Sequence, residues 1–166
     1  MFIQVWAGFI IYRFCEMIVS YLNSKSHNLR EIGKIQKIMM LSIHTMWFLS
    51  MIVENYYIGA SFHINLINVI IITLLSFASI LRIISILTLK KMWSTKVFAL
   101  RKEDIVHSGI YKYFRHPNYF AVFLEILLFP LLFNLYYTAM VFTLFNSVFL
   151  FFRIRLENRI IYGDAA

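Results

Sequence analysis

The sequence predicts an all-α, polytopic integral membrane protein with about five transmembrane helices, the last two forming a short helical hairpin. Three observations predict it. Of the 166 residues, 61% are hydrophobic and only 14% charged, and the mean hydropathy is +0.73, values foreign to a soluble domain of this length. Apolar stretches occur at roughly 2–22, 38–58, 64–89, 119–133 and 136–152; a spanning helix needs about 20 such residues, so the last two are short. The basic residues, finally, are confined to alternate connections between these stretches.

Each element follows in order. The first stretch lacks a basic leading region and carries Arg13 and Glu16 within its apolar run, so it reads as a span rather than a removable signal peptide. The spacing of Arg13 and Glu16 suits a local helical pair. Cys15 stands alone in the same stretch, which argues for a small packing residue and against a disulfide or a cysteine-based metal site. His44 in the second stretch and His63 before the third have no partner at ligand spacing and read as interhelical and interfacial residues. Arg82, inside the third span, must snorkel or pair with an acid.

The segment 90–118 is the longest that does not span, and it reads as the functional loop. Lys90, Lys91 and Trp93 suit a membrane–water interface. Val97 to Leu100 is an apolar patch, either a short strand or an interfacial dip, and Ser108-Gly109 reads as a turn. Pro130 and the polar break near Asn134 make 119–152 a tight hairpin, followed by a cytoplasmic tail at 153–166. The whole chain is one membrane-embedded domain: three spans to residue 89, the loop, the hairpin and the tail.

Sixteen Lys and Arg residues test this layout. Arg13 and Arg82 lie inside spans. Lys25, Arg30, Lys34 and Lys37 follow the first span; Lys90, Lys91, Lys96, Arg101, Lys102, Lys112 and Arg115 follow the third; Arg153, Arg155 and Arg159 follow the last. Five crossings place every basic segment on one side, which the positive-inside rule makes cytoplasmic, with the amino terminus outside and the carboxyl terminus inside. Topology and attraction to anionic lipid head groups thus account for the net charge of +8. No soluble basic domain exists to bind nucleic acid.

Chemistry concentrates between His107 and Glu125, where a cationic, aromatic loop runs into an apolar helix. Arg115, His116, Pro117, Asn118 and Tyr119 supply a guanidinium, an imidazole, a fixed φ, a capping amide and an amphipathic ring. Pro117 fits the first helical turn and drives His116 toward an extended conformation. His116 is therefore held beside the unpaired backbone donors of the helix start, a place suited to an anion such as a carboxylate or phosphate; lipid phosphate is the simplest such partner. Glu125, about two turns into that helix, is an ionisable group in an apolar span, either functional or paired with Arg82 or Arg13. Arg153 and Glu157 are spaced as a helix pair that can face the same corner.

Gly109-Ile110-Tyr111-Lys112-Tyr113-Phe114-Arg115-His116-Pro117-Asn118-Tyr119 resembles the GPYRYxRHPxY signature of the isoprenylcysteine carboxyl methyltransferase superfamily. Lys91-Met92-Trp93-Ser94-Thr95-Lys96 is similar to that superfamily's RRWxTR-type segment, and Arg153-Ile154-Arg155-Leu156-Glu157 to its closing Arg/Glu motif. Together these elements cover roughly residues 82–163, in the family's order. The RHPNY form and the RIRLE ending look closest to the bacterial branch that O-methylates long-chain alkylpyrones and alkylresorcinols. Asn158 stands where the family commonly has a second acid, and the tail after Tyr162-Gly163 is short.

The resemblance implies S-adenosyl-L-methionine as methyl donor, bound in a membrane-embedded or juxtamembrane pocket, since the chain has five glycines and none in a dinucleotide-binding pattern. Arg115 and His116 would meet the cofactor's carboxylate, Glu157 its ammonium or ribose hydroxyls, and Tyr111, Tyr113 and Tyr119 its adenine, with Pro117 setting the corner. The catalytic candidates are His116, Arg153 and Glu125, with His116 or Glu125 the base for a phenolic acceptor. The implied function is O-methylation of a lipophilic acceptor at the cytoplasmic face of a bacterial inner membrane. A long-chain pyrone or phenolic lipid is the expected acceptor, prenylcysteine the main alternative, and phospholipid amines come third. Phe120, Phe123, Leu124, Phe129, Phe142, Phe145 and Phe149 would wall its hydrocarbon tail. No metal is expected. A nicotinamide-dependent reductase on a similar scaffold and a non-enzymatic membrane subunit are the readings from other classes.

Overall fold

The protein was analysed as a computed structural model that describes residues 1–26, 33–95, 106 and 108–162. The expectations for Arg30, Lys96, Val97 to Leu100, Arg101, Lys102, His107 and Gly163 lie outside the described residues. Among the described residues five α-helices form: α1 (Phe2–Ser26), α2 (Lys34–Ile58), α3 (Leu66–Leu89), α4 (Pro117–Leu131) and α5 (Tyr136–Tyr162). Two single 3₁₀ turns, Lys90–Met92 and Gly109–Lys112, flank the segment between α3 and α4. There is no strand among the described residues.

Four helices, α1, α2, α3 and α5, are long and apolar enough to cross a bilayer. The chain is an integral membrane protein. α4 has 15 residues, about 22 Å at 1.5 Å per residue, and falls short of the roughly 30 Å hydrocarbon core. Its burial makes that length tolerable. Packed between α3 and α5, it buries Pro117, Ala121, Val122, Glu125, Ile126, Leu128, Phe129 and Pro130, so its ends meet protein instead of lipid.

α5 differs from the sequence reading. It runs 27 residues to Tyr162, so residues 153–162 continue the helix and are not a separate tail. Hydropathy drops at Arg153, but no Gly or Pro interrupts the run and the Arg153–Glu157 pair, 3.4 Å apart, supports another turn. Of the last two helices, then, only α4 is short.

One end of the bundle is closed by aromatic packing: Phe9 stacks on Phe129 with centroids 4.5 Å apart, Phe2 meets Phe133 edge-on at 5.0 Å, and Trp47 and Met51 are fully buried among them. Asn134, at φ +62°, turns the chain between α4 and α5, and its amide donates to Ser61 Oγ at 2.8 Å. The buried Glu54 carboxylate accepts from the backbone N–H groups of Tyr137 (3.0 Å) and Thr138 (2.8 Å). It thereby satisfies the orphan donors at the start of α5 with a charge the helix dipole favours.

The opposite end is polar. Ser20 and Ser24 of α1 bond the hydroxyls of Thr95 and Ser94 at 2.9 Å, and Asn23 donates to the Trp93 carbonyl at 3.0 Å. These bonds draw the chain after α3 back over α1. Trp93 consequently lies inside the protein, 2% exposed, and not at the lipid interface expected for it, whereas Lys90 and Lys91 are exposed.

Candidate functional site

At the polar end, the turn Gly109–Lys112 folds against α3. Gly109 has φ +58°, where L side chains are strained, and a Cβ there would come within 3.1 Å of the Thr88 side chain, so the backbone and the close approach both favour glycine. The turn lays Tyr111 half-buried over α3. Burial first, and then the Glu157 charge, push its phenol up to about 12 against the opposing hydrogen bond with Ser85.

Next, His116 lies outside the helix at φ −131° and ψ 55° before Pro117 at the first position of α4: the proline ring keeps it out of the α region, but its ψ falls short of the extended conformation expected for it. Its Nε2 lies 3.0 Å from Asn158 Oδ1; an amide oxygen can only accept, so Nε2 carries the proton. In the neutral ring Nδ1 carries the lone pair, and it lies 3.9 Å from Glu157 Oε2. The imidazole stacks on Tyr119 at 5.5 Å and 17°. The Tyr119 hydroxyl donates to Glu157 Oε1 and accepts from Arg153 Nε at 2.8 Å. Arg153, 2% exposed, also donates to the Thr95 carbonyl at 2.7 Å and contacts Met40 Sδ at 3.3 Å.

Four expected site residues, His116, Tyr119, Arg153 and Glu157, therefore meet around one carboxylate, with Tyr111 beside them. Tyr113 and Arg115 lie at the surface. Tyr113 is 85% exposed with Lys112 Nζ over its ring at 5.6 Å, and Arg115 is also exposed. Asn118 lies within the first turn of α4, so it is not the helix cap; its Oδ1 is buried without a hydrogen-bond partner.

Glu125 belongs to a second cluster. Its Oε2 is 3.1 Å from Arg13 Nη1 and 3.7 Å from Arg82 Nη1. Glu16 bridges the same two arginines, at 3.1 Å from Arg13 and in a shorter contact with Arg82 Nε. Arg13 Nη2 donates to His44 Nε2 at 2.9 Å, while His44 Nδ1–H donates to the Met40 carbonyl at 2.8 Å. Two guanidiniums and two carboxylates thus cancel inside the bundle, joining α1, α2, α3 and α4.

A cavity of about 260 Å³ borders both clusters, touching Arg13, Glu16, His44 and Arg82 of the one and Tyr119 and Arg153 of the other. Its remaining wall is mainly apolar. Phe14, Met17 and Leu41 line it and are also 54%, 44% and 54% exposed, so it reaches the lipid-facing surface between α1 and α2. Of the expected tail-binding residues only Phe149 lines it. Phe129 is packed in the aromatic core, and Phe120 and Phe145 are exposed.

Sequence reasoning read His44 as interhelical, as its bond to Arg13 makes it, but gave Thr95 and Met40 no site role because their partner Arg153 is distant in the chain. It missed Asn146 as well, which is 1% exposed on α5. A polar residue in an apolar span was the available signal.

The isoprenylcysteine carboxyl methyltransferase (ICMT) family model matches residues 69–162, from α3 through α5. The chain is 33% identical over 165 residues to the uncharacterized protein YpbQ of Bacillus subtilis, covering 96% of this chain and 95% of that one. It is 28% identical over 146 residues to an uncharacterized protein of Haemophilus influenzae, covering 85% and 84%. No solved structure matches significantly. With the matched segment carrying the corner at His116 and the Arg153–Glu157 pair, the chain belongs to the isoprenylcysteine carboxyl methyltransferase family of membrane methyltransferases.

Proposed function

We propose that the protein transfers a methyl group from S-adenosyl-L-methionine to an oxygen of a lipophilic acceptor, a long-chain alkylpyrone or phenolic lipid. The observation that carries this reading is the corner in which His116, Tyr119, Arg153 and Glu157 meet, two of whose members, Tyr119 and Arg153, also line a cavity that reaches the lipid-facing surface. The same residues fit the cofactor. Among the described residues Glu157 Oε2 has only the 3.9 Å contact with His116, which leaves lone pairs for an ammonium or a ribose hydroxyl, and Tyr111 offers an aromatic face. When bound, the cofactor supplies an electrophilic methyl group on a sulfonium.

The protein's contribution is to position the reactants and exclude water. For a phenol or enol acceptor, His116 Nδ1 takes the hydroxyl proton while Nε2–H remains on Asn158, and Glu157 stabilises the imidazolium. This is the ordinary division of labour around a catalytic imidazole. Glu125 is the poorer base, because two guanidiniums occupy its Oε2 and it does not line the cavity. Its proposed role is to fix the cavity wall.

Incubating purified protein with labelled cofactor and, in parallel, a long-chain alkylpyrone, an alkylresorcinol and an S-prenylated cysteine tests the reading. We expect labelled pyrone or phenol ether, increasing with chain length as each buried methylene adds about 0.8 kcal/mol. Labelled prenylcysteine ester alone would reject the acceptor and retain the methyltransferase. No product with any of the three would reject both.

We further infer a bacterial inner-membrane location, the amino terminus outside and the site cytoplasmic. In a Cys15→Ser background, cysteines at Tyr57 and Ser108 should react with an impermeant label from opposite faces, Ser108 from the cytoplasm. Labelling from one face would overturn the orientation and the access of cytosolic cofactor to His116.

A further inference from the structure

We propose that Asn146 and Asn118 form a recognition site, inside the cavity, for a neutral acceptor head group that carries a hydroxyl. This rests on the methyltransferase reading and narrows its acceptor. Asn146 lies in the apolar run of α5, is 1% exposed, and lines the cavity. Both polar atoms of its amide are buried without a hydrogen-bond partner, as is Asn118 Oδ1 on the facing helix. The three tryptophan indoles buried without a partner each leave a single donor. Asn146 leaves a whole amide.

An unpaired buried amide is destabilising in the protein alone, which makes this one intelligible as half of a contact that a ligand completes. The unmet atoms define the other half. Two oxygens require a donor, and one NH₂ requires an acceptor. A phenol or enol beside a second ring oxygen supplies both. An ionised carboxylate supplies acceptors only, and it would set its charge against two amide oxygens.

The guanidiniums on the cavity wall are matched in charge by carboxylates, although Arg82 Nη1 has no hydrogen-bond partner and the exposed Lys37 also lines the cavity. Arg13 and Arg82 are matched by Glu16 and Glu125, and Arg153 by Glu157. Size points the same way. At about 260 Å³ the cavity lies just below the roughly 300–1,000 Å³ that encloses a whole drug-sized ligand, so it suits a head group whose tail leaves between α1 and α2.

Equilibrium binding of a tritiated long-chain alkylresorcinol to purified protein in detergent reads the site without turnover. Wild type should bind it, and Asn146→Leu should lose about ten-fold or more in affinity while binding S-adenosyl-L-methionine as before. An S-prenylated N-acetylcysteine should compete poorly with the alkylresorcinol. Because Leu removes unpaired polar atoms, the variant should also melt about 2–4 °C higher without ligand, which a structural amide would not allow. Equal alkylresorcinol affinity in the two proteins, no binding by wild type, or a parallel loss of cofactor binding would each overturn the proposal. Binding that depends on Asn146 without any methyl transfer would instead reject the methyltransferase reading and leave the amide site standing.

Discussion

Arg153→Ala should lower kcat/KM by about 30-fold or more, the largest catalytic effect expected of any single substitution. The guanidinium is the hub of the corner: Nε serves Tyr119 and Glu157, and Nη2 serves the Thr95 carbonyl. Removing it leaves the Glu157 carboxylate without its cation and releases Tyr119, the ring on which His116 stacks. Truncating one partner of a buried charge pair costs about 2–5 kcal/mol; at about 1.4 kcal/mol per factor of ten, that is at least 30-fold. Arg153→Lys restores the charge but not the fork that reaches three acceptors at once, so it should recover little.

The comparison that gives this meaning is Tyr113→Ala. Its ring is 85% exposed, and surface substitutions usually stay within about 0.5 kcal/mol, so it should keep activity within roughly two-fold. Measuring kcat/KM for the three variants on one acceptor decides the point. An Arg153→Ala enzyme as active as Tyr113→Ala would remove the corner from the mechanism.

The contrast between these residues also shows what the sequence could reveal. Pro117 and the apolar run behind it announce a helix start, and the start carries His116 and Tyr119. The spacing of Arg153 and Glu157 announces a helical pair. What brings these together is the packing of α4 on α5, which the order of spans makes natural. Tyr111 and Tyr113 were indistinguishable by composition. The 3₁₀ turn at Gly109 sends one inward over α3 and the other outward, and that turn packs so closely on Thr88, 21 positions earlier, that a Cβ at Gly109 would come within 3.1 Å of it.

Hydropathy likewise located the spans but ended the last one too soon, because it registers transfer to lipid and not the continuation of backbone hydrogen bonds past Arg153. Trp93 was assigned to the interface on its chemistry. Its burial is decided by Ser20, Ser24 and Asn23 of α1, which hold the following segment through pairings some 70 residues apart in the chain.

The largest stability effect should come from the charge cluster in the middle of the bundle. Arg82→Leu leaves Glu16 and Glu125 sharing Arg13 alone, a net negative charge among side chains that are 4% exposed at Arg82 and 2% at Glu125. Breaking such an arrangement by removing one partner costs about 3–5 kcal/mol. In a chain of this length that lowers Tm by about 6–20 °C. Adding Glu16→Leu to Arg82→Leu removes the opposite charge and leaves Arg13 with Glu125 at 3.1 Å, so the double variant should melt well above the single one, since a matched pair is often replaceable by apolar side chains. Thermal unfolding of both proteins in the same detergent measures this, and a double variant no more stable than the single would show that charge balance is not what holds these helices. Because Arg13 and Glu16 are α1's share of the cluster, the same loss should loosen α1 from α3 and α4. α1 carries Phe14 and Met17 of the cavity wall, so a charge balance buried mid-membrane fixes the wall against which an acceptor would lie.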